Sequence, residues 1–287
     1  MNTRAMFLAG CMLLTSAAPV LAAEKGALDR IRERGAINLG YMQDAVPFSF
    51  LGADKQAQGY SVELCREVAR GIREQLKLDK LEARWVPITI DERIESVKSG
   101  KVDIECSTTT WTLSRNAAVD FSLITFVDGG SILAKAAGNP MSRFQDFDGR
   151  KVAVIAGTTT EKVLRASLAQ RKMKSEVITV PTRGAGLKLL EDARVDGFAA
   201  DRTTLIGIAA TTPGKGSFVL LDEDFSVEPY ALALPRGDPE FRLAVNRVLA
   251  RLYRDGDIVR IYNRWLGSLG PPSVLLSATY YIQGLSE

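Results

Sequence analysis

Two successive series of alternating strands and helices constrain the fold of this chain more than any other feature. In both series, short apolar runs bounded by turn residues alternate with segments whose apolar residues recur at helical spacing. The predicted strands span 36–41, 81–86, 102–106, 151–156, 177–180 and 197–200, and the predicted helices span 27–34, 61–76, 92–98, 160–171 and 185–192. This alternation is typical of mainly parallel sheets whose faces are covered by helices. We therefore predict an α/β fold.

Two further apolar segments, 126–134 and 230–234, follow the first and the second series. Both are strand-like, and the first contains a pair of adjacent glycines. We interpret them as paired crossings between two structural units. A helix is predicted at 239–254, whereas the sequence assigns no place to the tail that begins at Pro271.

Residues 1–22 are predicted to be a secretory signal, which would place the mature protein in the periplasm. Arg4 is followed by the apolar run 7–21 and then by small residues before Glu24, as in signal peptides. The run is short for a membrane anchor, since a spanning helix needs about 20 apolar residues. A lipoprotein signal ending at Cys11 is the less favoured interpretation, because almost no hydrophobic segment precedes that cysteine.

Export would leave Cys65 and Cys106 in a compartment that permits disulfides. A bond between them is slightly favoured over two buried free thiols, which are also common. The sequence does not show whether the two Cα atoms come within about 7 Å of each other, as a disulfide requires.

The chain contains no histidine, and this excludes several classes of function. Ser-His and Cys-His nucleophile pairs, imidazole bases and the usual zinc ligands are all removed. We therefore expect no metal and no cofactor. The 37 basic and 34 acidic residues form no long run of one sign, so nucleic acid is not an expected partner.

A threonine-rich segment follows a predicted strand in the second series. Thr158 and Thr159 lie between the strand at 151–156 and the helix at 160–171, and Thr158 has capping-box spacing to Glu161. The free N–H groups and the dipole of a helix start favour a carboxylate or a phosphate. A plain helix cap is the alternative.

The segment 107–115 of the first series combines hydroxyl groups with Arg115. A guanidinium can hold a carboxylate through two parallel hydrogen bonds, which would make Arg115 a ligand-binding residue. The alternative interpretation is that Arg115 is a solvated side chain beside a polar turn. Ligands of open α/β sheets bind beyond the carboxyl ends of strands, so the two hydroxyl-rich segments indicate a cleft. Asp201, after the strand at 197–200, would bind an ammonium group, cap the helix that starts at Arg202, or do both. Together these groups complement an α-amino acid.

Several short motifs occur in an order that is specific to one family. They are 46–50 (VPFSF), 59–64 (GYSVEL), 103–109 (DIECSTT), 120–122 (DFS), 149–154 (GRKVAV), 157–159 (GTT), 228–230 (EPY) and 237–241 (GDPEF). Through them, nearly all of the mature chain resembles the type II periplasmic amino-acid-binding proteins of ABC importers, and within these the glutamate/aspartate-binding branch. Phe48, in the first motif, is expected to line the ligand pocket.

The resemblance implies the two-lobed fold of type II periplasmic binding proteins, in which each lobe is a mainly parallel sheet flanked by helices and two strands form the hinge. The first lobe would comprise 23–129 and 228–287, and the inserted second lobe 130–227. Ligand binding would close the cleft by hinge motion. The resemblance also implies a monomer that delivers an acidic amino acid to the permease of an ABC transporter in the inner membrane.

Carried over position by position, the resemblance assigns roles around the α-carbon of the ligand. Arg115 is expected to clamp the α-carboxylate, and Thr110 is expected to assist it. Thr158 or Thr159 would assist from the opposite lobe. Asp201 is expected to bind the α-ammonium group.

The side-chain end of the predicted pocket departs from the branch. Arg93 stands where the branch has an arginine for the side-chain carboxylate of the ligand, and Thr108 stands where it has a serine. Met42 replaces a second arginine, Ile90 replaces a serine, and Arg183 replaces a histidine. One cation is lost and one is gained, so an acidic ligand remains the leading prediction, with a longer or differently placed acidic group as the alternative.

Two other functions fit the same architecture. An enzyme resembling the periplasmic cyclohexadienyl dehydratases would use a pocket carboxylate as general acid, and Glu105, at a strand end, is the candidate. A structural carboxylate paired with an arginine is the favoured interpretation of Glu105. A ligand-sensing module would require a separate signalling partner. We predict binding for transport, without catalysis.

Overall fold

The structure is a computed structural model that describes residues 25–137, 141–212 and 218–286. The predicted signal at 1–22, and Cys11 with it, lies outside these residues. Within the three described ranges, no helix combines the length and the apolar character that crossing a bilayer requires.

The described residues form thirteen strands. They are β1 (Ala36–Tyr41), β2 (Asp44–Ala45), β3 (Ser49–Leu51), β4 (Ala57–Gln58), β5 (Glu82–Pro87), β6 (Ile104–Glu105), β7 (Asp120–Asp128), β8 (Gly130–Lys135), β9 (Lys151–Ile155), β10 (Glu176–Val180), β11 (Gly197–Asp201), β12 (Phe218–Leu220) and β13 (Glu228–Leu234).

Ten α-helices are found in the same residues. They are α1 (Ala27–Arg34), α2 (Tyr60–Gln75), α3 (Arg93–Lys98), α4 (Leu113–Asn116), α5 (Thr159–Gln170), α6 (Arg183–Glu191), α7 (Arg202–Thr211), α8 (Pro239–Arg254), α9 (Asp257–Leu266) and α10 (Val274–Gln283). Short 3-10 turns occur at Phe144–Phe147 and Gly267–Leu269.

Two five-stranded sheets organise these elements. The first has the strand order β5-β1-β6-β13-β7, and the second has the order β10-β9-β11-β8-β12. Four strands of each sheet point the same way, whereas β13 in the first and β8 in the second are reversed. The reversed strands are those that enter a sheet directly after the chain has crossed from the other one. The predicted α/β fold with mainly parallel sheets is thus confirmed, with one antiparallel strand in each sheet.

The chain crosses from the first sheet to the second at Gly129, between β7 and β8. A Cβ atom at this position would lie 2.3 Å from Oδ2 of Asp224, so the close approach of the neighbouring loop requires glycine. The chain returns on β13, whose Glu228 pairs with Asp128 of β7. The two predicted crossings are therefore neighbouring antiparallel strands.

The first sheet packs its core against α2, α8 and α9. Cys65 lies on the buried face of α2, and Cys106 directly follows β6. Their sulfur atoms are bonded at 2.08 Å, with Cα atoms 6.2 Å apart. The predicted disulfide is confirmed, and it ties the main helix of this unit to the start of the segment 107–115.

The tail after Pro271 packs against strand β7, which the sequence did not predict. Helix α10 places the hydroxyl of Tyr280 2.6 Å from that of Tyr60. Gln283 accepts a hydrogen bond of 2.8 Å from the backbone N–H of Ile124 on β7. The last helix of the described chain thereby supports one of the two crossing strands.

Candidate functional site

A cavity between the two sheets collects side chains from both units. Its lining comprises Ile90, Arg93, Thr108, Thr110, Ile155, Thr158, Thr159, Thr160, Arg183, Ala199, Ala200, Asp201 and Thr204. The free volume is about 20 Å³, which holds about one water molecule. Most residues predicted for the site are therefore brought together, and the exceptions are Met42, Phe48 and Arg115.

The start of α5 has the capping arrangement that the sequence predicts. Oγ1 of Thr158 accepts the N–H of Glu161 at 3.1 Å and donates to the carbonyl of Ile155 at 2.8 Å. Glu161 in turn accepts from the N–H of Gly157 at 2.9 Å. The hydroxyl of Thr158 is thus engaged by the backbone, whereas Thr159 and Thr160 line the cavity from the first turn, where the dipole is positive.

Glu228 joins the two threonine segments, a role that was not predicted from the sequence. Its Oε2 accepts hydrogen bonds of 2.7 Å from the hydroxyls of Thr110 and of Thr159. Its Oε1 accepts one of 2.8 Å from Ser226. Thr110 belongs to the first unit, Thr159 to the second, and Glu228 to the crossing strand β13. This buried carboxylate therefore orients hydroxyl groups on both sides of the cleft.

Asp201 points its carboxylate towards the cavity instead of capping α7. It occupies the N-cap position without a capping hydrogen bond, and its oxygens accept from Thr160 at 2.9 Å and from the hydroxyl of Tyr230 at 2.6 Å. The capping function predicted as an alternative for Asp201 is wrong, because Asp128 of β7 accepts the N–H and the hydroxyl of Thr203 in its place. Asp201 is thereby left available for a ligand.

Two carboxylates approach each other at this position. The hydroxyl of Tyr230 lies 2.6 Å from Asp201 and 3.2 Å from Asp128. Burial raises the pKa of Asp128 to about 7, and the negative charge of Asp201 contributes to the shift. The proton held by Asp128 near neutral pH lowers the repulsion between the two groups.

Arg115 lies behind the cavity wall. Its Nη1 donates to the carbonyl of Thr110 at 2.8 Å, and its side chain is half-buried. Burial lowers the pKa of Arg115, whereas the charge of Glu228 opposes this shift. The guanidinium thus braces the backbone of the threonine segment.

Arg93 is a buried cation that faces the cavity, and the negative charges that act on it are those of Glu105 and Asp201. Only 6% of its surface is exposed, and within the described residues it makes no hydrogen bond and no ion pair. Burial and the nearby charge of Arg115 lower the pKa of Arg93 to about 10, so the guanidinium remains charged at neutral pH. A buried charge of this kind is costly unless an anion joins it.

Arg183 spans the cleft from the first turn of α6. Its Nη1 pairs with Asp44 of β2 at 2.9 Å, and its Nη2 lies 3.3 Å from the hydroxyl of Thr108. Met42 is fully buried and places its sulfur 3.7 Å from the same guanidinium. The arginine of the second unit thus contacts three side chains of the first.

Phe48 and Glu105 lie away from the cavity lining. Phe48 is fully buried, and its ring packs edge-on against the rings of Tyr60, Phe126 and Tyr230. The structure therefore places Phe48 in the core beside the first sheet. Glu105 is also fully buried, and burial raises the pKa of its carboxyl to about 7, opposed by the positive charge of Arg93.

The arrangement of two α/β units around a cleft, joined by two strands, defines a two-lobed binding protein. A family model for bacterial extracellular solute-binding proteins, family 3, matches residues 37–268, and the chain belongs to that family.

Individual relatives agree with this assignment. An L-glutamate/L-aspartate-binding protein of Pseudomonas aeruginosa is 34% identical over 260 residues, which cover 90% of this chain and 86% of that protein. An ancestral arginine-binding protein bound to glutamine has a TM-score of 0.73 at 26% identity, covering 82% of this chain and 99% of that one. The ancestral amino acid-binding protein AncCDT-1, a precursor of cyclohexadienyl dehydratase, has a TM-score of 0.72 at 28% identity, covering 84% and 99%.

Proposed function

We propose that this protein captures an amino acid with an acidic side chain outside the cytoplasm and delivers it to an ABC importer. The proposal includes a first lobe of 23–129 and 228–287, a second lobe of 130–227 and a monomeric state. It also includes a signal peptide at 1–22 and release into the periplasm.

The unpaired guanidinium of Arg93 is the observation that carries the proposal. A buried arginine at a cavity wall is stabilised by an anionic ligand and destabilised by an apolar one. A carboxylate matches the planar donor pair of a guanidinium better than other common anionic groups of metabolites, apart from phosphate. The groups at the opposite end of the cavity distinguish between a carboxylate ligand and a phosphate ligand.

The groups at that opposite end complement an α-amino acid. Asp201 offers a carboxylate to an ammonium group, and its two neutral donors, Thr160 and Tyr230, hold it in place. The free backbone N–H groups in the first turn of α5 offer donors to an α-carboxylate, and Arg115 contributes positive charge nearby. A zwitterion with a carboxylate in its side chain uses both ends of the cavity.

Hinge opening is required for this function. The cavity has about 20 Å³ of free space, far less than the pockets of about 300 Å³ or more that hold small ligands. The lobes contact each other closely, since a Cβ atom on Gly207 of α7 would lie 2.6 Å from the carbonyl oxygen of Val46. The two crossing strands are the elements about which the lobes would separate and close again.

A screen of the purified protein for thermal stabilisation tests the proposal. Glutamate and aspartate should raise the midpoint of unfolding more than alanine, leucine, lysine or free dicarboxylates, because only they supply an ammonium group and two carboxylates. Arg115→Ala should abolish the shift, whereas Arg84→Ala, on the exposed edge strand β5, should preserve it. Stabilisation by neutral amino acids alone would contradict an acidic ligand.

The rival proposal of a dehydratase is tested separately. We propose that Glu105 has a structural role, since it lies outside the cavity lining and is fully buried. Incubation with prephenate or arogenate should give no product. If the wild-type protein converts either compound and the Glu105→Gln variant does not, the protein is a dehydratase and the proposal of transport binding is wrong.

A further inference from the structure

The ion pair between Arg183 and Asp44 has a consequence for ligand selectivity. The two residues come from opposite lobes, 139 positions apart in the chain, and approach to 2.9 Å. Arg183 is almost completely buried, whereas the side chain of Asp44 is 44% exposed. Asp44 is therefore the counter-ion that the protein itself supplies to a cation of the cavity wall.

The two arginines at the side-chain end of the cavity consequently differ in charge compensation. Arg183 is neutralised by Asp44 and also contacts the hydroxyl of Thr108. Arg93 has no hydrogen bond or ion pair in the part of the chain that the structure describes. At this end, Arg93 is thus the cation without a direct ion pair, and the buried Glu105 is the nearby negative charge.

We propose that Asp44 sets the discrimination between an acidic amino acid and its amide by neutralising Arg183. This inference rests on the proposed function and refines it. A ligand carboxylate that approaches Arg183 is repelled by the negative charge of Asp44, which is paired with the same guanidinium. A carboxamide is neutral and is not repelled in this way. Asp44 therefore lowers the preference for glutamate over glutamine below the value that two free arginines would give.

The same geometry makes Asp44 a residue that can be substituted without disturbing the fold. It is partly exposed, it lies in the two-residue strand β2, and its side chain makes no other hydrogen bond or ion pair among the described residues. Asp44→Asn retains the size of the side chain and removes its charge. Asp54→Asn is the matched control, because Asp54 is an exposed carboxylate of the same lobe that pairs only with its own loop.

Titration calorimetry with glutamate and with glutamine tests the inference. In Asp44→Asn, the ratio of the two affinities should shift towards glutamate by about tenfold, the size of a modest charge-pair coupling. Asp54→Asn should leave the ratio unchanged. Adding Asp44→Asn to an Arg183→Gln protein should also leave it unchanged, because the effect passes through Arg183.

Two results would overturn the inference alone. Equal losses for both ligands in Asp44→Asn would show that the ion pair acts only in closing the lobes. Unchanged affinities for both ligands would show that Asp44 does not influence the charge that a ligand meets. Binding of neither amino acid by the wild-type protein would be a different failure, since it would overturn the proposed function and the inference with it.

Discussion

The hydroxyl of Tyr230 donates a hydrogen bond of 2.6 Å to the carboxylate of Asp201. Tyr230 belongs to the crossing strand β13, whereas Asp201 ends strand β11 of the second lobe. The proposed ammonium site is therefore oriented from the hinge. Because Tyr230 is fully buried in an aromatic cluster, its hydroxyl has little freedom to move away from the carboxylate.

Tyr230→Phe should weaken glutamate binding by about tenfold, in proportion to the loss of one hydrogen bond to a charged group. The ring and its packing are retained, so the midpoint of unfolding of the ligand-free protein should change little. Calorimetry with glutamate and with glutarate separates the causes, since glutarate has no ammonium group and should lose less affinity. Tyr41→Phe, in a separate cluster of the first lobe, is the control. Equal losses for both ligands would contradict a role in positioning Asp201.

Arg93→Met should separate stability from binding. Replacing a buried cation that makes no hydrogen bond by an apolar side chain of similar length should stabilise the ligand-free protein, because the desolvation cost of the charge is removed. Affinity for glutamate should fall by on the order of 2–5 kcal/mol, because a desolvated charge pair is lost. Urea unfolding and calorimetry measure the two effects. Arg84→Met, whose side chain is half exposed and pairs with Glu82, should change neither, and a destabilised Arg93→Met protein would show that Arg93 already has an anionic partner.

Glu105→Gln should change the dependence of stability on pH. The carboxyl of Glu105 has a pKa of about 7 in the folded protein, above its ordinary value of 4.5, so the native state binds a proton that the unfolded state has released. The contribution of Glu105 is fully present below pH 4.5 and is lost as the pH rises through 7. Relative to the wild type, Glu105→Gln should gain roughly 3 kcal/mol in the free energy of unfolding between pH 4.5 and pH 8.

Urea titrations at several pH values measure this difference directly. Glu95→Gln serves as the control, since its side chain is 68% exposed and pairs with Lys98 on the surface. A difference between Glu105→Gln and the wild type that stays constant with pH would mean that Glu105 is ionised throughout.

Removal of the disulfide should lower the free energy of unfolding by about 4 kcal/mol. In the chain-entropy model, this is the stabilisation expected from a cross-link that closes a loop of this length in the unfolded chain. The bond joins residues 41 positions apart in the core of the first lobe. Cys65→Ala alone should lose nearly all of this stability, and the double variant with Cys106→Ala should lose little more. A double variant as stable as the wild type under oxidising conditions would refute the contribution of the cross-link.

The alternation of strands and helices was sufficient to predict the fold, because apolar periodicity is a local property. Threonine segments at the ends of β6 and β9 were recognisable for the same reason, since strand ends meet at one edge of a sheet. The disulfide was favoured only slightly from the sequence, as the distance between Cys65 and Cys106 depends on how α2 packs. Local patterns thus indicated the elements and the general position of the cleft.

Contacts between distant segments could not be predicted in this way. Glu228 was part of a recognised motif, but its bonds to Thr110 and Thr159 exist only because β13 lies beside β7 and both lobes converge on it. Asp44 carried no signal at all, since its partner Arg183 is on the other lobe. Phe48 was assigned to the pocket from its motif, whereas the packing of three aromatic rings places it in the core.

The strand order of the first sheet also dictates when each lobe can be completed during biogenesis. The second sheet uses strands from one uninterrupted stretch, β8 to β12, and can assemble as soon as that stretch is available. The first sheet must wait for β13, which inserts between β6 and β7. Until then β7 has no partner strand, so the sheet that begins first in the chain is the one completed last.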